Sequence, residues 1–249
     1  MKSRSAIINL CFCILFVIPS FVYGWSGHGS YGYSGLFATP SAYILNDGEG
    51  AVGITRLPKI KNVPLGNKPR NVYFTAVGYL PFIEGSFAFV NPDNHPYGIG
   101  DRTVSARIRF LKERRALPAL TIGFQDFFAA KKLDIEISDA QHFAATYLVG
   151  SKSFNVNFLP AAKNIFLHAG YGVDIVESNE QHLVGFFGGI DFRPLQEISV
   201  IAEYDTRYFN MGFKFHLFSH LEIMYMWWDM QHLSWQVGGH FPLGVMRAD

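Results

Sequence analysis

From about residue 49 onward, apolar and polar residues alternate with a period of two. Over residues 103–110 the polar set is Thr103, Ser105, Arg107 and Arg109, and the interleaved apolar set is Val104, Ala106, Ile108 and Phe110. Successive side chains of a strand point to opposite faces, so this stretch predicts a strand with one apolar and one polar face. Over residues 207–217, Phe209, Met211, Phe213, Phe215 and Leu217 oppose Asn210, Gly212, Lys214 and His216. Over 221–229, Leu221, Ile223, Tyr225 and Trp227 oppose Glu222, Met224 and Met226, and over 119–126 Leu120, Ile122 and Phe124 oppose Thr121, Gly123 and Gln125. Residues 71–80 are too uniformly apolar for either face to be assigned.

Runs of this kind fall near 49–57, 70–80, 83–90, 102–110, 119–127, 142–152, 164–174, 182–192, 197–206, 207–217, 221–230 and 233–241. Most are about 8–11 residues long, the length a tilted strand needs to cross hydrocarbon. Their number is even, as in single-chain bacterial barrels. Leu80-Pro81-Phe82, Arg193-Pro194-Leu195 and Phe218-Ser219-His220 read as short periplasmic turns. Residues 58–68, 91–101 and 128–141 read as longer external loops, rich in Pro, Asn, Asp and Lys. No internal repeat or low-complexity linker divides the chain, so residues 49–249 form one predicted domain.

The N-terminus changes the compartment. Lys2 and Arg4 precede an apolar run over residues 6–21 and then Val22-Tyr23-Gly24, the layout of a signal peptide cut before Trp25. The run falls short of the roughly 20 residues of a spanning helix, so residues 1–24 are expected to be removed. Residues 25–48 then precede the barrel as a candidate plug. Cys11 and Cys13 both leave with the signal, so the mature chain has no thiol for a disulfide, a metal thiolate or a nucleophile. Removing Lys2 and Arg4 from 21 basic residues leaves 19 against 20 acidic ones, a net charge of −1 that gives nucleic acid no electrostatic hold.

Charged residues make up 16% of the chain and aromatics another 16%. Ordinary soluble domains carry about 25% charged residues, so this surface is poorly suited to water on all sides. In the absence of a spanning helix, a closed barrel satisfies every backbone group in lipid. The predicted fold class is therefore all-β, a transmembrane antiparallel β-barrel of about twelve strands in a Gram-negative-type outer membrane. A soluble β-sandwich is the alternative. The stretch Gln236-Val237-Gly238-Gly239-His240-Phe241-Pro242-Leu243 resembles the terminal signal read by the barrel assembly machinery, which with outer-membrane lipid is an expected partner.

Gly35-Leu36-Phe37-Ala38-Thr39-Pro40-Ser41-Ala42, followed by Asp47-Gly48, resembles the opening of the YjbH/GfcD-like proteins. Further similar motifs follow in order: Gly100-Asp101-Arg102, Arg107, Arg109-Phe110-Leu111, Pro118-Ala119-Leu120-Thr121-Ile122-Gly123, Asp126-Phe127 and Tyr147-Leu148-Val149-Gly150-Ser151-Lys152. The resemblance covers residues 35–152; beyond Phe154 only the strand texture is similar. It departs from the family where Ala129-Ala130-Lys131-Lys132 replaces a short Gly-Thr-Gly stretch, and in the shorter length of this chain. It implies a role at the outer membrane in producing or passing an exopolysaccharide or capsule, with polysaccharide and periplasmic export proteins as partners. It supplies no catalytic residue.

The candidate chemistry lies on the polar faces. Arg107, Arg109, Gln125, Glu203, Asp205, Lys214, His216 and Glu222 are predicted to line the lumen, as are His168 and His240. The two arginines are expected to pair with inward acids, and the interior to be filled by side chains, with residues 26–46 as the candidate plug. A Ser–His–acid hydrolase using Ser199 or Ser234 is the catalytic alternative, but sequence spacing does not place these groups within reach of one another. No His pair has helical metal-binding spacing beside a Glu, and residues 185–189 lack the Lys-Ser/Thr of a phosphate loop. No metal, cofactor or catalytic residue is therefore expected. Tyr73, Tyr79, Tyr225, Trp227, Trp228 and Trp235 are candidate sugar contacts or members of an interfacial aromatic girdle. The expected function is a non-enzymatic component of polysaccharide assembly or export. The alternatives are a lipid-modifying acyl hydrolase or transferase and a general small-solute porin.

Overall fold

The computed structural model describes residues 27–59, 68–93, 101–127, 144–155, 164–174, 182–218 and 220–244. The signal peptide assigned to 1–24 and the loop assigned to 128–141 lie outside the described residues. Twelve strands follow in chain order: β1 (Glu49–Leu57), β2 (Arg70–Tyr79), β3 (Ile83–Pro92), β4 (Asp101–Leu111), β5 (Ala119–Gln125), β6 (Ala145–Asn155), β7 (Asn164–Val173), β8 (Gly185–Leu195), β9 (Ile198–Tyr204), β10 (Phe209–Leu217), β11 (Leu221–Trp228) and β12 (His232–Pro242). Each pairs antiparallel with the next, and β12 returns to pair with β1, from Glu49 opposite Pro242 to Arg56 opposite Trp235. Closure leaves no open sheet edge. The fold is one closed antiparallel barrel, not a sandwich of two sheets.

The alternation in the sequence sets the two faces. Val104, Ala106, Ile108, Phe209, Phe213, Phe215, Ile223 and Tyr225 point outward, while Thr103, Ser105, Arg107, Asn210, Lys214, Glu222 and Met224 point into the lumen. In β2 the outward set is Tyr73, Thr75, Val77 and Tyr79, and Val72, Phe74 and Ala76 face inward. Both faces of β2 are apolar because its inner residues join a lumen core with Tyr31, Tyr33, Leu36 and Phe37.

One turn differs from the sequence reading. Arg193-Pro194-Leu195 belongs to β8, and the turn falls at residues 196–197. The register of β8 against β9 shifts between Phe192 and Leu195, and such an irregularity tolerates a proline that has no N–H to donate. The strand predicted at 182–192 accordingly runs three residues later.

Residues 27–45 lie inside the barrel and are buried throughout. They form a compact knot. Gly29 N–H donates to Tyr33 O at 2.8 Å, Ser30 N–H to Phe37 O at 2.7 Å, and Leu36 N–H to Thr39 O at 2.9 Å. Gly32 sits at φ +89°, a left-handed conformation natural to glycine, with Phe74 packed where a side chain would go. Tyr31, Tyr33, Leu36 and Phe37 fill one part of the lumen with Trp228, Met224 and Met226. Ala42 and Tyr43 fill another with Tyr147, Phe166 and Phe187.

Candidate functional site

The lumen is a polar cradle built around the inner segment, and three buried carboxylates organise it. Glu203 on β9 accepts from three consecutive backbone N–H groups, those of Phe37 (3.1 Å), Ala38 (2.8 Å) and Thr39 (3.1 Å), and from the Thr39 hydroxyl (2.9 Å). Asn210 Nδ2 adds a further donor at 3.0 Å. Successive N–H groups converging on one anion form a nest, and each bond to a charged acceptor is stronger than a neutral one. Glu84 on β3 accepts from Ser34 N–H (2.9 Å), the Ser34 hydroxyl (2.5 Å), Leu45 N–H (2.8 Å) and Arg107 Nη1 (2.9 Å). Glu222 on β11 accepts from His28 N–H at 3.3 Å and lies 3.5 Å from Lys214 Nζ.

The lumen cations grip the segment's carbonyls in turn. Arg107 Nη1 donates to Ser34 O at 2.7 Å and Nη2 to Ser41 O. Lys214 Nζ donates to Gly35 O (3.2 Å) and Leu36 O (3.3 Å). Neutral groups complete the seam: Thr121 Oγ1 donates to Ala42 O (2.8 Å), Ala42 N–H to Ser151 Oγ (2.6 Å), and Gln236 Nε2 to His28 O (2.9 Å). Buried ions are tolerable where partners satisfy them, and the segment's backbone supplies those partners here. Just past the segment the chain crosses close to Gly78, where a methyl group would overlap the Asn46 carbonyl.

Of the predicted lumen residues, Arg107, Gln125, Glu203, Asp205, Lys214 and Glu222 are buried and inward, and His216 is nearly so. Arg109 departs from its expected pairing. It donates to the Pro81 carbonyl at 2.7 Å at the rim and makes no ion pair with an inward acid among the described residues, because its position near the end of β4 carries it past Glu84 to the β2–β3 turn. Asp205 accepts from the N–H groups of Arg207 and Tyr208 and shapes the β9–β10 connection. Gln125 faces the lumen near its wider-looped end, and neither of its amide atoms has a hydrogen-bond partner.

Among the candidate aromatics, Tyr73, Tyr79, Tyr225, Trp227 and Trp235 lie on the outer face, Tyr79 most openly. Trp228 is not on that outer face and so is no part of a girdle. As the neighbour of Trp227 on a strand it takes the opposite face, and it is buried edge-on against Phe37 at a centroid distance of 5.2 Å.

The catalytic alternative finds two partial arrangements. Ser199 Oγ lies 3.4 Å from His216 Nε2, and His216 Nδ1 lies 3.6 Å from Glu222. Both separations are longer than the roughly 2.6–3.2 Å of a tight nucleophile–base pair, and Ser199 has no exposed surface. Ser151 and His168 are closer, at 2.8 Å, but Ala42 N–H occupies the serine oxygen. Ser234 donates to the Arg56 carbonyl. Among the described residues no group of three His, Cys, Asp or Glu side chains is placed to hold a metal ion.

Sequence reasoning left Glu84, Thr121 and Ser151 out of the candidate set. Their parity was available: Glu84 shares a face with Ser86, Ala88 and Val90, opposite Ile83, Gly85, Phe87 and Phe89.

A closed β-barrel with an apolar exterior and a charged lumen occupied by the chain's own N-terminal segment is the class these features define. The family model described as exopolysaccharide biosynthesis protein YbjH matches residues 27–247, and the chain belongs to this YjbH family. The match takes in the inner segment and all twelve strands. No curated protein matches the chain. The stretch 35–42, with which the family resemblance opens, is also the stretch that Glu203, Arg107 and Lys214 bind.

Proposed function

We propose that the protein is a non-enzymatic outer-membrane component that assists assembly or export of an exopolysaccharide. The family's link to exopolysaccharide biosynthesis sets the process. The observation that carries the membrane reading is the distribution of residues across the barrel wall. Large apolar side chains such as Phe87, Ile108, Leu148, Phe186, Phe209 and Phe213 stand exposed on the outside, while Arg107, Glu84, Lys214, Glu203 and Glu222 are buried within. Such a surface suits hydrocarbon, and the outer Tyr and Trp residues suit its interfaces. The residues 1–24 act in this reading as the export signal, and outer-membrane lipid, the barrel assembly machinery and periplasmic export proteins are its partners.

A filled lumen disfavours a general porin. The buried, loosely spaced Ser199–His216–Glu222 set disfavours an acyl hydrolase. A deletion strain tests the role. The expected result is a change in the amount, length or surface retention of exopolysaccharide, with lipid A and phospholipid acyl chains unchanged. Normal polysaccharide in all three respects overturns the proposal. An altered acyl pattern restored by the intact gene but not by a Ser199→Ala variant would replace it with the enzyme.

A further inference from the structure

The end of the lumen opposite the short turns holds buried polar groups that the inner segment leaves unsatisfied. Arg70, the first residue of β2, points inward with 2% of its surface exposed, and neither Nε nor Nη1 has an acceptor. The acid nearest in register is Asp93, just past Pro92, the cross-strand partner of Arg70. That carboxylate is committed to Arg56. The Ser30 and Thr103 hydroxyls, both amide atoms of Gln125 and the Trp228 indole N–H are likewise buried without partners. Arg70, Thr103, Gln125 and Trp228 all sit at or near the same ends of their strands, where β2 and β4 begin and β5 and β11 finish.

Ser30 adjoins Tyr31, whose ring lies 5.8 Å from that of His182. Burial first, then the charges of Arg207 and Arg70, hold His182 down to about 3, so both guanidinium groups act on this ring. This end of the lumen therefore combines the buried Arg70 cation with hydroxyl, amide and indole groups, and on the β4–β5 side it also carries the Asp101 and Asp126 carboxylates, so the anion-holding position is the β2 side at Arg70. A buried guanidinium with two of its nitrogens lacking an acceptor is costly. Arginine is also the side chain best matched to a carboxylate, and the neutral groups suit sugar hydroxyls, which both donate and accept.

We infer that this end of the lumen is a binding site for an acidic saccharide, with Arg70 holding the anionic group of one sugar and the hydroxyl, amide and indole groups at the same strand ends taking hydroxyls along a short oligosaccharide. The inference deepens the polysaccharide role proposed above and rests on it.

The test is equilibrium binding to the mature protein in detergent micelles, read by tryptophan fluorescence, with tetragalacturonate as the acidic probe and maltotetraose as the neutral one. Wild type binds the uronate at least about tenfold more tightly than the neutral oligosaccharide, the worth of one or two charge-assisted bonds. Arg70→Gln abolishes that preference while retaining heat-modifiable migration as a sign of folding. Should R70Q not fold, Arg70→Lys, which keeps the charge but loses the guanidinium fork, serves instead and reduces the preference. Equal binding of the two probes by wild type, or an undiminished preference in the folded variant, overturns the inference. The deletion phenotype does not depend on Arg70. A polysaccharide defect with no uronate preference defeats this site alone, and normal polysaccharide defeats the role.

Discussion

Glu84 and Arg107 face each other across β3 and β4 at 2.9 Å, both shielded from solvent, and both also bind Ser34 of the inner segment. The ion pair is thus one corner of a three-way junction between two strands and the segment. Removing either charge leaves the other buried without its counterion. Arg107→Gln or Glu84→Gln is expected to destabilise the barrel by about 3–5 kcal/mol, and the double variant by less than the sum of the two. Arg109→Gln, which gives up a rim bond to Pro81, should cost about 1 kcal/mol or less. Urea titration of folding in micelles checks the contrast. Equal effects at 107 and 109 would contradict the assigned geometry.

Glu203 anchors the segment through three backbone N–H groups and a hydroxyl. Glu203→Gln keeps the shape but replaces an anion with a neutral amide, one end of which donates rather than accepts. Bonds to a charged group are worth about 1.5–3 kcal/mol, so the segment should open locally before the barrel unfolds. Hydrogen exchange should rise by about ten- to a hundredfold at residues 37–39 and change little in β6 and β7. Uniform loss of protection around the barrel would show that Glu203 supports the wall rather than the segment.

Asp126, just after β5, supplies a pH dependence. Burial, with a smaller contribution from the nearby Asp101 charge, pushes its carboxyl up to about 7. The unfolded carboxyl titrates near 4, so the folded state binds more protons between these values. Its contribution to stability is fully present below about pH 4 and is lost as pH rises through 7. Asp126→Asn should abolish this part of the pH dependence and stabilise the barrel at pH 8, on the order of 1–3 kcal/mol. Urea midpoints for the two proteins at pH 5 and pH 8 provide the check. A variant no more stable than wild type at pH 8 would rule out the buried carboxylate as a source of strain.

The barrel wall was legible in the sequence wherever the two faces differ chemically. The alternation of Thr103 to Phe110 fixes β4 because its polar residues cannot exchange places with its apolar ones. It failed at β2, where the inner residues meet Phe37 and its neighbours and need to be as apolar as the outer ones. It also misplaced the end of β8, where Pro194 looked like a turn but sits beside a register shift. The parity of Trp228 was readable but outweighed by its residue type. The contacts of the segment were not legible, since Ala38 and Glu203 are 165 residues apart in the chain and period two carries no information on such pairs.

We propose that the barrel spans a membrane and that residues 27–45 close its lumen, and planar-bilayer conductance tests this most directly. The mature protein should give no wide, steady current, whereas a variant lacking residues 27–45 that retains heat-modifiable folding should give a stable open pore. A wide, non-selective conductance from the intact chain would contradict the claim, as would a folded deletion variant that stays closed.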